Sequence, residues 1–299
     1  MHSVRCEIDT EYRGVEWLAD LAWRWFTEGA ERLEGAAFQE LLDSTGLPED
    51  SLRRSIPCGP GGALWGFLST STVNRATGRI TGRSRVLTRK NLPLLRQWLA
   101  GDVQLAELAI YRLDEEGMPG EQWLRIGVAR DDSSTDWIRL SVEAPDGRFG
   151  SSQQAVWAGL LGDFAREVDP SYAQIGYALS IGRTEHEERV GPPLPSMTLP
   201  ESRRLLRGYE WLMVVPREIV QALGGAGAIA DAGFHRVEEL PQGAVLLQVT
   251  PGFEDFAGPE IERTWRLLRP ALRPGTPKRF SSDAEEWSPP SRIWYADAV

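Results

Sequence analysis

At 299 residues, with 41% hydrophobic and 25% charged side chains, the chain is long enough to bury a core without disulfide staples and too apolar to be disordered. Its net charge of −10 and pI of about 5.0 argue against nucleic acid as the main ligand, because phosphate binding needs clustered positive charge. The same balance suits plain solubility or a basic protein partner whose approach the field accelerates. The longest apolar runs fall far short of a membrane span of ~18 residues. The first ten residues, carrying Arg5, Glu7 and Asp9, lack the apolar stretch of a signal peptide, so a cytoplasmic protein is expected.

Arginine supplies nearly all the positive charge, with only Lys90 and Lys278 as lysines. The twelve tryptophans are spread from Trp17 to Trp294 and read as core anchors whose N–H groups find partners. Cys6 and Cys58 leave room for one disulfide, but a large chain with two cysteines and no CxxC fits a reducing compartment better.

In chain order, Val15, Leu18, Ala19, Ala22 and Phe26 have the spacing of a buried helix face, which Trp17, Trp23 and Trp25 widen almost all round. Phe38, Leu41 and Leu42 mark a second short helix, ended near Gly46 and Pro48. After the glycine loop at 58–62 comes a compact apolar strand at 63–68, then a polar Thr-, Arg- and Gly-rich stretch at 69–89 that reads as a hairpin excursion or a loop. Leu92, Leu95, Trp98 and Leu99 return to helical spacing. Strands follow at 105–113, 123–129 and 137–143, the last alternating cleanly between Ile138, Leu140, Val142 and Arg139, Ser141, Glu143. One buried and one wet face indicate an antiparallel sheet.

Ser151 and Gln154 fit a capping box that opens a helix stopping before Pro170. A strand at 172–181 precedes a charged, then proline-rich stretch at 182–200. Beyond it come a strand at 209–215, a helix led by Pro216 and ended by Gly224-Gly225, a hairpin of 235–240 with 244–250, a helix opened by Pro259, and a short strand at 292–295.

This order indicates an α+β fold, with helices packed on one face of antiparallel sheet. It suits two pseudo-duplicated ferredoxin-like halves, although no residue-level repeat is visible. The expected organisation is an N-terminal helical segment at 1–58, a first half at 59–181, a linker at 182–206 and a second half at 207–299, or one continuous domain.

No catalytic, cofactor or metal signature survives inspection. Gly225 to Ala230 matches G-x-G-x-x-A, but it follows a helix where a dinucleotide fingerprint follows a strand. Ser180 sits in a degenerate nucleophile elbow with His235 downstream, yet the segment after it is charged on every face and does not seat a nucleophile. Glu185, His186, Glu187 and Glu188 are adjacent and do not converge on one ion, and HExxH is absent because residue 190 is Val. They read instead as an exposed, solvated acidic loop and a recognition edge for a basic protein.

The run Arg207-Gly208-Tyr209-Glu210-Trp211-Leu212-Met213-Val214-Val215-Pro216, the helix end Leu223-Gly224-Gly225 and the strand Gly243-Ala244-Val245-Leu246-Leu247-Gln248 resemble the type VI immunity protein family. The likeness spans roughly 151–270, and the family pattern has an Asn where this chain has Glu210. The resemblance implies a protein without catalytic residues or cofactors that binds and blocks a cognate bacterial toxin. The alternative class is an enzyme or small-molecule-binding protein of a bacterial secondary-metabolite pathway, with a pocket lined by Trp and Tyr. A scaffold in a multi-protein assembly is the third.

Overall fold

A computed structural model describes residues 2–44, 47–74, 77–130, 136–179, 182–192, 194–279 and 288–295. It shows an α+β chain that divides into two compact units, Glu11–Arg148 and Met1–Thr10 with Phe149–Val299. Each contributes five strands, and every pairing given below is antiparallel. The division falls elsewhere than the expected boundaries at 58, 181 and 206.

In the first unit, β2 (Leu64–Asn74), β3 (Arg79–Val86), β4 (Leu105–Leu113), β5 (Pro119–Arg130) and β6 (Trp137–Pro145) lie in the order β3-β2-β4-β5-β6. Register aligns Leu68 with Leu108, Leu108 with Ile126, and Ile126 with Val142. That row of fully buried side chains crosses four strands and follows from the two-residue alternation legible in the sequence. Helix α1 (Val15–Glu34) packs on β5 and β6. Its buried positions Leu18, Leu21, Ala22, Trp25, Phe26 and Leu33 keep helical spacing, and the Trp25 indole N–H donates to the Ser141 carbonyl at 3.1 Å. Trp17 and Trp23 are only half-buried, and the guanidiniums of Arg13 and Arg96 lie 5.3 and 5.6 Å from their ring centres. Helices α2 (Ala36–Asp43) and α4 (Leu92–Leu99) pack on β2, and α3 (Glu49–Arg54) places Ser51 to accept from the Trp65 indole at 2.8 Å. The 69–89 stretch is the β2–β3 hairpin. Strand β3 is exposed along nearly its whole length and carries no apolar alternation, as befits the edge of a sheet.

The second unit orders its strands β1-β7-β8-β10-β9: β1 (Ser3–Glu11), β7 (Tyr172–Tyr177), β8 (Leu212–Val215), β9 (Arg236–Glu239) and β10 (Val245–Gln248). Residues 3–11 form a strand and not part of the expected helical segment. Val4, Cys6 and Ile8 alternate with Arg5, Glu7 and Asp9, the period of two that favours it. Helix α5 (Ser151–Val168) packs on β7 and buries Trp157, Leu161, Phe164 and Val168. Its N-cap is Gly150 rather than a Ser151–Gln154 capping box. The Gln154 amide is used elsewhere: its Nε2 donates to the Phe149 carbonyl at 3.1 Å and the Glu254 carboxylate at 3.0 Å, and its Oε1 accepts from the Phe253 N–H at 3.0 Å. Helix α7 (Arg217–Ala222) ends at Gly224 and Gly225, both with positive φ, and α8 (Ala226–Ala230) continues from them.

The 182–206 stretch is not a linker. It carries α6 (Glu185–Val190) and two 3₁₀ turns, with Thr184, Thr198, Leu199 and Ser202 buried. Helix α9 (Pro259–Leu268) forms as expected, whereas residues 292–295 enter no strand. Both thiols are free, and burial pushes the Cys6 thiol far above its usual range, with Glu7 adding to the shift.

Candidate functional site

Pairing of β1 with β7 sets Glu7 opposite Gln174 and Asp9 opposite Tyr172, so the four polar side chains share one side of the sheet. Arg207, 1% exposed, lies over this row. Its Nη1 donates to Asp9 and stands 3.6 Å from Glu7, while Nε and Nη2 each donate to an oxygen of Glu187 at 2.8 Å. Nη2 also donates to the Gly182 carbonyl at 2.9 Å. Tyr172 donates to Gln174 at 2.7 Å, and Gln174 donates to Glu7 at 3.0 Å. Burial alone would lower the Arg207 pKa, but Asp9, Glu187 and Glu7 override it and hold the guanidinium charged.

Helix α6 delivers Glu187. Thr184-Glu185-His186-Glu187 is a capping box: Thr184 Oγ1 accepts from the Glu187 N–H at 3.1 Å, and the Thr184 N–H donates to Glu187 at 2.8 Å. One carboxylate therefore closes the helix start, grips Arg207 and accepts from the Thr198 hydroxyl. Gly208 lets the backbone come this close, since a Cβ there would stand 2.9 Å from the Thr184 side chain.

The 185–188 segment is thus a helix and not the exposed acidic loop expected of it. His186 and Glu187 are buried. Glu185 accepts from Ser291 at 2.6 Å and from the Arg292 N–H at 2.7 Å, and Glu188 pairs with Arg183 at 2.7 Å. A charged segment enters the interior when each charge meets an opposite one there, and this one does. A recognition edge at Glu185, His186, Glu187 and Glu188 loses its premise of exposure.

A second buried pair lies nearby. Glu210 stands 3.4 Å from Arg292, and burial pushes its pKa up to about 8 against the pull of that guanidinium. Arg292 donates to the Phe253 carbonyl at 2.9 Å and lies 3.6 Å from the Phe253 ring centre and 4.7 Å from that of Tyr177. Gly176 makes room for the acid: a Cβ there would come within 2.4 Å of Glu210.

Both clusters are closed by the chain itself, and their carboxylates already surround a guanidinium where a cation would sit. Among the described residues no group of three or more His, Cys, Asp or Glu is placed to hold a metal ion. Ser180 lies outside the described residues, and His235 is exposed at the entry to β9. Gly225 to Ala230 opens α8 directly behind α7, a helix end and its continuation. Among the described residues no helix is long and apolar enough to cross a membrane. Two signals for the Arg207 cluster were present in the sequence: the alternation in residues 4–9 and the T-x-x-E spacing of Thr184 and Glu187.

No known protein family matches the chain, and no curated protein aligns with it. Among solved structures, the Pseudomonas aeruginosa T6SS protein PA0821 has a similar fold, with a TM-score of 0.54 at 13% identity over 94% of this chain and 78% of that one.

Proposed function

We propose that this chain is a non-catalytic, cytoplasmic binding protein that neutralises a cognate bacterial toxin in a type VI secretion setting. The observation behind the proposal is the placement of the three segments that resemble the immunity family. Leu212–Val215 of one pairs with Val245–Gln248 of another, and the Leu223-Gly224-Gly225 end closes the helix that leaves the first of these strands. They form one contiguous piece of the second unit. The fold shared with a T6SS protein supports the same setting. The Arg207 cluster supports binding over catalysis, because its convergent charges are sealed from any substrate and hold the fold instead.

A net charge of −10 fits a basic partner, with association that slows as salt screens the field. The reading expects a secreted toxin encoded beside this chain, growth arrest when that toxin is expressed, and recovery when the chain is co-expressed. Continued arrest in the presence of folded chain contradicts the proposal. A small-molecule-binding role is the second reading, carried by a cavity beside α9.

A further inference from the structure

The second unit holds a cavity of about 520 Å³ whose walls include Trp265, Trp294, Tyr295, Arg269, Arg273 and His186. Its chemistry differs from that of the protein around it. In a chain of net charge −10, among the described residues no carboxylate lines it and two arginines do. Arg273 pairs with Glu201 at 2.5 Å. Arg269 is exposed, its guanidinium lies 5.2 Å from the Trp265 ring centre, and among the described residues no carboxylate neutralises it. Trp265 and Trp294 are half-buried, with ring centres 6.4 Å apart and planes tilted by 43°, so neither indole uses up the other's face by stacking.

His186 and Tyr295 complete the polar part of the wall. His186 Nε2 stands 3.1 Å from the Arg273 carbonyl, which can only accept, so Nε2 carries the proton. Burial lowers the His186 pKa and keeps the ring neutral, which leaves Nδ1 a bare acceptor. Among the described residues neither His186 Nδ1 nor Tyr295 Oη has a hydrogen-bond partner, although both are buried.

We propose that this cavity binds a small planar aromatic anion, a ring carrying a carboxylate or a phosphate. The ring lies against an indole and the anion meets the Arg269 guanidinium. This site is independent of toxin neutralisation, and either role stands or falls without the other.

Calorimetric titration of the full chain tests it with two anions, indole-3-acetate and adenosine 5′-monophosphate, and with their neutral counterparts, indole-3-acetamide and adenosine. One anion is expected to bind 1:1 with a Kd between roughly 1 μM and 1 mM, and its neutral counterpart about tenfold more weakly or worse. Which anion binds tells carboxylate from phosphate. R269Q, at an exposed position, is expected to weaken the anion by about tenfold without shifting the melting temperature, and W265L to weaken both anion and neutral compound. Absence of binding by both anions at millimolar concentration overturns the proposal, as does equal binding of the neutral counterparts or unchanged affinity in R269Q.

Discussion

The unit Glu11–Arg148 and the unit built from residues 1–10 and 149–299 are both five-strand, helix-covered structures, yet they bury different things. In the first, the row Leu68, Leu108, Ile126 and Val142 is apolar, and ion pairs such as Arg89–Asp43 stay on the surface, with 59% and 64% of the side chains exposed. In the second, Arg207, Asp9, Glu187, Glu210 and Arg292 are interior. An apolar row tolerates the loss of one pair partner at its surface, whereas an interior charge network fails when one member leaves. The two units should therefore respond in opposite ways to removal of a single arginine.

The largest effect belongs to R207A. Asp9 and Glu187 would be left as uncompensated buried charges, a loss of about 3–5 kcal/mol by urea denaturation. A loss below about 1 kcal/mol, the range of a surface pair, would show that the cluster does not act as a unit.

Glu210 gives the next. Its pKa is raised to about 8 in the folded chain from an ordinary 4.5, so the stability that its protonated form contributes is complete below pH 4.5 and is lost as pH rises towards 8. Melting temperature should fall across that window, with a free-energy slope of at most roughly 1.4 kcal/mol per pH unit, and E210Q should flatten the fall. Identical profiles for the two proteins would place Glu210 outside the pH response.

In the first unit, W25F removes the indole donor to the part-buried Ser141 carbonyl and is expected to cost about 1 kcal/mol by the same denaturation measurement. The smallest effect is that of R89A, which should leave the melting temperature unchanged. A clear drop there would blur the contrast between the units.

The same contrast explains what the sequence disclosed. Strand 105–113 was legible residue for residue, and the helix opening at Ser151 and the hairpin around 241–243 were legible within a few positions, because each is written in local periodicity and turn residues. The 69–89 stretch left hairpin and loop both open because an exposed edge such as β3 needs no apolar alternation. The Arg207 cluster escaped for a different reason: Arg207 and Asp9 are 198 residues apart, and only the β1–β7 register and the fold of 182–206 bring them together. Local cues for its parts were visible, but nothing local joins them. The acidic run at 185–188 looks exposed for the same reason: in sequence it is a block of like charge, and only the fold brings Arg207, Ser291 and Arg292, with Arg183, against it.

Direct titration of the purified chain with the secreted toxin that the reading expects to be encoded beside it tests the proposed function most plainly. The expected result is a 1:1 complex with a Kd on the order of nanomolar, forming more slowly as salt is raised. A folded chain that gives no binding to that toxin at micromolar concentrations would contradict it.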